Sequence, residues 1–236
     1  MPSIGAVSRR LCVAADARGY SRGNDTHQLA TQRYLLEVLD SSATAAGLDR
    51  VGWERQPGGD SELAILPAGE SEALVVDRFL RELDAALARH NSLMADGAKL
   101  RLRVAIHFGR LVTGHNGYAG PAPVEVSRLL DSRQLRDALE EFPDVQMAAL
   151  LSAPVFEDTV KPRHTTLRPE EFRQVAVEKK EYQGTAWLWV PGASQLSSAA
   201  GTEPGQSPTV SGGTQVHTTV NGGVTATDIV FGVRNG

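Results

Sequence analysis

The sequence predicts a single α+β domain ending near Pro191, with a mainly antiparallel sheet of the ferredoxin-like kind beside long helices. Three observations predict it. Short apolar runs alternate with long segments whose apolar residues recur at helical spacing. Two pairs of runs are joined closely enough to be hairpins. The composition then changes sharply after Pro191. At 236 residues, 41% hydrophobic and 22% charged, the chain can bury one generous core.

The elements follow in order. Leu11 to Ala15 is a short apolar run, read as a buried strand ending at Asp16. Asp25 or Thr26 caps a helix to about Ala46, with Leu29, Tyr34, Leu35, Val38 and Leu39 as its inner stripe and Gly47 as its stop. Val51 to Arg55 and Glu62 to Leu66 form a hairpin around Pro57-Gly58-Gly59-Asp60, because adjacent glycines supply the positive φ a tight turn needs. A second helix runs from Ser71 to about Asn91, with Leu74, Val75, Phe79, Leu83 and Leu87 on one face. After Gly97 comes an alternating strand, with Leu100, Leu102, Val104 and Ile106 inward and Arg101 and Arg103 outward. A Gly-rich loop (114–120) leads to a third helix from Pro121 to about Glu141. Val145 to Leu151 is a buried strand, and Val175 to Lys180 with Thr185 to Val190 closes the sheet as a hairpin.

Charge and cysteine usage exclude several classes of function. A net charge of -4 and a pI near 5.9, with Lys and Arg scattered, argue against binding duplex DNA or RNA. The lone Cys12 lies in an apolar run, so there is no disulfide framework and no thiolate cluster; it reads as a buried structural thiol. No apolar run is long enough to span a bilayer and no signal-peptide core opens the chain, so the expected location is cytoplasmic, without a membrane anchor.

Two carboxylates stand out. Ala14-Ala15-Asp16-Ala17-Arg18-Gly19-Tyr20-Ser21 puts Asp16 at a strand end, before a small residue and a glycine. Such a loop leaves backbone N–H groups to face an anion, phosphate above all. Asp60 sits in a hairpin turn that can neighbour this strand. Two hard oxygen donors with a triphosphate between them describe a Mg²⁺ or Mn²⁺ site. Taken singly, each aspartate is ordinary turn chemistry. Only the pairing points to function.

Three stretches resemble the catalytic domain of the class III nucleotidyl cyclases, over roughly residues 8–191. Residues Ala14 to Ser21 resemble the family's first-strand motif, F-A-D-I-x-G-F-[ST]; Gln56-Pro57-Gly58-Gly59-Asp60 resembles its K-x-x-G-D turn. Leu102 to Gly109 resembles its R-x-A-I-H-x-G strand, with a Gly loop and a helix containing Ser127-Arg128-Leu129 after it. The resemblance implies that Asp16 and Asp60 bind two metal ions, Mg²⁺ or Mn²⁺, and that Ala17, Arg18 and Gly19, with Tyr20 beside them, hold the triphosphate. It implies that Arg128 steadies charge on the α-phosphate. The family's transition-state asparagine is Val124 here; its adenine-reading lysine is Gln56, and that lysine's aspartate partner is Gly117. Metal and phosphate chemistry is kept while purine recognition is lost. The implied activity is conversion of an NTP to a 3′,5′-cyclic nucleotide by a homodimer with sites built across its interface, at altered base preference. A pseudoenzyme that binds nucleotide or merely dimerises is the alternative.

The remaining chemistry-bearing residues read as structure. His107 is a sheet-packing histidine, and His90, His115 and His164 have no partner at metal spacing. Trp53, Trp187 and Trp189 are packing aromatics on strands, and Glu178-Lys179-Lys180-Glu181 is a solvated hairpin edge. Residues 192–213, rich in Ser, Thr, Gly, Gln and Pro, form a flexible linker. Residues 214–236 are β-prone and poor in charge, with Thr219-Val220-Asn221-Gly222-Gly223-Val224 and Ile229-Val230-Phe231-Gly232. They resemble bacterial amyloid-signalling motifs, which implies an effector protein as partner; a simple disordered tail is the alternative.

Overall fold

The computed structural model describes residues 7–114, 117–180 and 182–193. The linker beyond Ala193, the tail of 214–236, His115 and Glu181 lie outside the described residues.

An eight-stranded sheet carries the fold. In chain order its strands are β1 (Val7–Ala17), β2 (Glu54–Pro57), β3 (Ser61–Ile65), β4 (Leu102–Gly114), β5 (Gly117–Ala119), β6 (Met147–Ser152), β7 (Phe172–Lys179) and β8 (Tyr182–Trp189). Their spatial order is β2-β3-β1-β4-β6-β8-β7, with β5 pairing β4. Every pairing is antiparallel except β4 with β6. The α+β class is therefore as the periodicities predict.

Strand alternation sends side chains to two separate cores. Leu11, Val13 and Ala15 of β1 pack with Leu35, Val38, Phe79, Leu80 and Leu83, from α1 (Asp25–Ala46) and the helical run that follows β3. Cys12 and Ala14 face the other way, against α4 (Pro121–Leu130) and α5 (Arg133–Glu141) through Val126, Leu129, Leu135 and Ala138. Burial pushes the Cys12 thiol up to about 12, as suits an inert core residue. Trp53 meets Phe79 edge-on and Trp187 stacks on Phe156 at 4.3 Å, so these aromatics serve packing.

Local chemistry sets the boundaries. Asn24, one residue before the predicted caps, accepts from the His27 N–H at 3.0 Å; Gly47 ends α1 at φ 80. The strand expected over Val51–Arg55 begins instead as a 3₁₀ turn, Arg50–Gly52, capped by the Asp49 carboxylate on the Val51 N–H. Val51 is consequently 90% exposed. The second helix is continuous through α2 (Glu72–Leu74), a π turn (Val75–Phe79) and α3 (Leu80–Asn91). The third helix breaks at Asp131-Ser132, because Ser132 adopts extended backbone and its hydroxyl caps α5 at the Leu135 N–H. A short helix, α6 (Ala153–Val155), continues as a π turn through Val160 after β6. Ahead of β4, the Asn91 amide bonds both the N–H (2.8 Å) and the carbonyl (2.7 Å) of Leu100 and so aligns the strand's start. Among the described residues no helix is long and apolar enough to cross a membrane.

Candidate functional site

The sheet register brings the two predicted carboxylates to one end of β1. Asp16 stands opposite Ser61 on β3 and opposite Arg103 on β4. Asp60 is the last residue of the turn before β3, and its carbonyl accepts from the Ala17 N–H at 2.8 Å. Gly59 closes that turn at φ 77, a conformation glycine adopts without steric cost. Thus β1 and the turn are joined at the point where both acids sit.

Arg103 is the neighbour that sequence reading left without a role. Its Nε donates to Asp16 Oδ1 at 3.0 Å, and its Nη2 reaches Oδ1 and Oδ2 at 2.7 Å each. The two side chains are 15% and 16% exposed, so this is a largely desolvated pair. Burial raises the Asp16 carboxyl above its ordinary range, with Asp60 and Asp131 adding repulsion and Arg103 acting in the opposite sense. Asp131, at the α4–α5 junction, is a second contributor not singled out from sequence. Among the described residues no three His, Cys, Asp or Glu side chains gather as a metal site. Two carboxylates at one strand end are the donor type a hard cation takes, and the Arg103 guanidinium occupies one of them.

The predicted phosphate loop is only partly open to a ligand. The Ala17 N–H is spent on Asp60, and the Arg18 N–H on the Arg101 carbonyl at 2.8 Å. The Arg18 side chain turns to the C-terminal end of α5, donating to the Leu139 carbonyl at 3.1 Å and pairing with Glu140. Gly19, at φ 88, turns the chain into a 3₁₀ turn, Tyr20–Arg22. The Tyr20 hydroxyl accepts from Gln32 at 2.6 Å, and both groups border Gly59.

Gln56 and Gly117 come together from β2 and β5. A β-carbon on Gly117 would lie 2.5 Å from Gln56 Nε2. Val124 and Arg128 are one turn apart on α4, away from its buried Ala122, Val126 and Leu129. Val124 is 52% exposed. Gly120 precedes the helix at φ 111, where a side chain would press on the Arg110 carbonyl and the Leu111 Cα.

Comparison with known structures then bears on the fold. The chain matches the guanylyl cyclase Cya2 at TM-score 0.56 and 14% identity, over 80% of this chain and 93% of that one. It matches an adenylate/guanylate cyclase/hydrolase from Silicibacter pomeroyi at 0.54 and 23%, over 78% and 98%. A bacterial light-regulated adenylyl cyclase matches at 0.54 and 11%, over 82% and 98%. The fold is that of the class III nucleotide cyclase domains. No protein-family model and no curated protein matches the sequence.

On this fold, His107 is a core histidine on β4, with Nε2 3.4 Å from a Glu125 oxygen. Burial and the nearby Arg9 lower it to about 4, so it is neutral near pH 7.

Proposed function

We propose that this protein is a divergent nucleotide cyclase, converting an NTP to a 3′,5′-cyclic nucleotide and pyrophosphate with altered base preference, in bacterial signalling or defence. The observation that carries the reading is the meeting of Asp16 with the Asp60 turn at the end of β1, on a cyclase fold. Asp16 and Asp60 would hold Mg²⁺ or Mn²⁺, which when bound neutralises phosphate charge and favours the ionised 3′-oxygen. The 3′-oxygen bonds to the α-phosphorus as the bond to the β-phosphate oxygen breaks; pyrophosphate carries away the electron pair and the hydroxyl proton passes to solvent. Arg128 balances charge on the α-phosphate. It stands on the outward face of α4, which supports a homodimer whose partner supplies the metal-binding half of each site.

Base recognition is where this chain departs from the family it resembles. Gln56 carries a neutral amide where a lysine would stand, and Gly117 offers no carboxylate. Loss of hydrogen bonds that read a base relaxes or redirects specificity. The test is incubation of the purified protein with each of the four NTPs and Mn²⁺, followed by detection of cyclic product and pyrophosphate. Absence of product from all four, in a folded dimer, ends the proposal.

A second reading draws support from Val124, an apolar residue on the outward face of α4. It is that of a catalytically silent nucleotide-binding or dimerisation module that recruits an effector protein through residues 214–236. Under it, Asp16→Ala leaves the biological output intact while removal of the residues after Gly213 abolishes it.

A further inference from the structure

Arg103 does more than flank the acids: it holds one of them by both oxygens. Three donor contacts, at 3.0, 2.7 and 2.7 Å, satisfy the Asp16 carboxylate with one guanidinium. The pair is mostly out of water, so screening does little to loosen it. Asp60 and Asp131 add repulsion at Asp16, and the Arg103 guanidinium offsets it.

We propose that Arg103 is an exchangeable internal counter-cation: it occupies the Asp16 carboxylate in the free protein and must be displaced before a divalent ion can bind there. This rests on the assignment of Asp16 as a metal ligand. A carboxylate saturated by a bidentate guanidinium has few lone pairs left for a metal. The guanidinium in turn gives up such a partner most readily for another anion, and the phosphates of an incoming nucleotide are that anion. Metal alone therefore binds weakly, and metal with nucleotide binds strongly. The protein is kept from loading its metal site when there is no substrate to use it.

The test is Mn²⁺ binding to the full-length protein without nucleotide, read from the electron paramagnetic resonance signal of free Mn²⁺ at pH 7.5. Arg103→Met is expected to bind Mn²⁺ about ten- to a hundredfold more tightly than the native protein, the span set by hydrogen bonds to a charged group. Arg103→Lys, with one point charge in place of a planar fork, is expected to fall between them. Adding Asp16→Asn to Arg103→Met should erase the gain. If Arg103→Met binds no better than native while Asp16→Asn weakens binding, the counter-cation role is wrong and the metal-site reading stands. If none of the variants differs from native, both fall. Should Arg103→Met fail to fold, the Lys variant decides: no tightening there overturns the proposal.

Discussion

The Gln56 amide fills the space a side chain at Gly117 would need, with Nε2 standing 2.5 Å from the position of a β-carbon there. These are the two positions that read adenine in the family the sequence resembles, and here they stand side by side. Gly117 also adopts φ 85, which costs an L-residue about 1–2 kcal/mol. Gly117→Ala is therefore expected to lose about 1–2 kcal/mol in urea unfolding through the backbone alone, because the exposed Gln56 amide can swing aside. Adding Gln56→Ala should leave that loss nearly unchanged. Gln56→Lys with Gly117→Asp together should outbind either single variant for ATP, because each new side chain gives the other a partner.

The Arg50–Glu62 pair gives a second stability prediction. Arg50 Nη2 reaches both Glu62 oxygens, at 2.9 and 3.0 Å, and its Nε lies 2.7 Å from Asp40; Arg50 and Glu62 are about 5% and 4% exposed. Arg50→Met leaves the buried Glu62 charge alone and should cost about 3–5 kcal/mol; Glu62→Leu should cost less, because Asp40 still faces Arg50, and the two together should cost much less than the sum of the single losses. Additive losses in a urea double-mutant cycle would show the two charges to be independent.

Much of this fold was legible because its signals are local. Gly47 stops a helix and Gly59 turns a hairpin by backbone conformation alone, and the alternation through Leu102, Val104 and Ile106 marks a strand. The two aspartates could be paired in advance because each lies at a strand end. Arg103 opens the R-x-A-I-H-x-G stretch but reads as solvent-facing, as an arginine on an alternating strand does, and only the long-range β1–β4 register sets it against Asp16. The Asp131-Ser132 break was hidden for a related reason. Its flanks keep helical periodicity, and Ser132 as a cap gains its meaning from where α4 and α5 dock.

His107 predicts a pH dependence with a definite sign. Its folded value is lowered to about 4 from an ordinary 6.5, chiefly by burial. Between those two values the unfolded chain binds a proton that the folded protein does not, so stability falls as pH drops from 6.5 toward 4 and levels off below. The full shift corresponds to about 3 kcal/mol, and the nearby Glu125 oxygen, which would welcome a protonated ring, makes that an upper figure. Denaturant midpoints measured from pH 7.5 to 4 should slope less steeply for His107→Gln than for the native protein. Identical slopes would place the acid sensitivity elsewhere.

Val124 gives the most direct test of the catalytic reading. It is 52% exposed on the same face of α4 as Arg128, one turn earlier, so a polar residue there disturbs no packing. The resemblance places a transition-state hydrogen-bond donor at this position. A donor aimed at charge that develops only during reaction contributes about 10²–10³ in rate. Val124→Asn should therefore raise turnover by up to that factor with the best NTP, while leaving the unfolding midpoint and KM nearly unchanged, since the contact is absent from the ground state. A gain in kcat alone is the signature of a site built for this chemistry. Unchanged or lower kcat in a well-folded variant would mean that α4 does not face the reacting phosphate, and the silent-module reading would then have the stronger case.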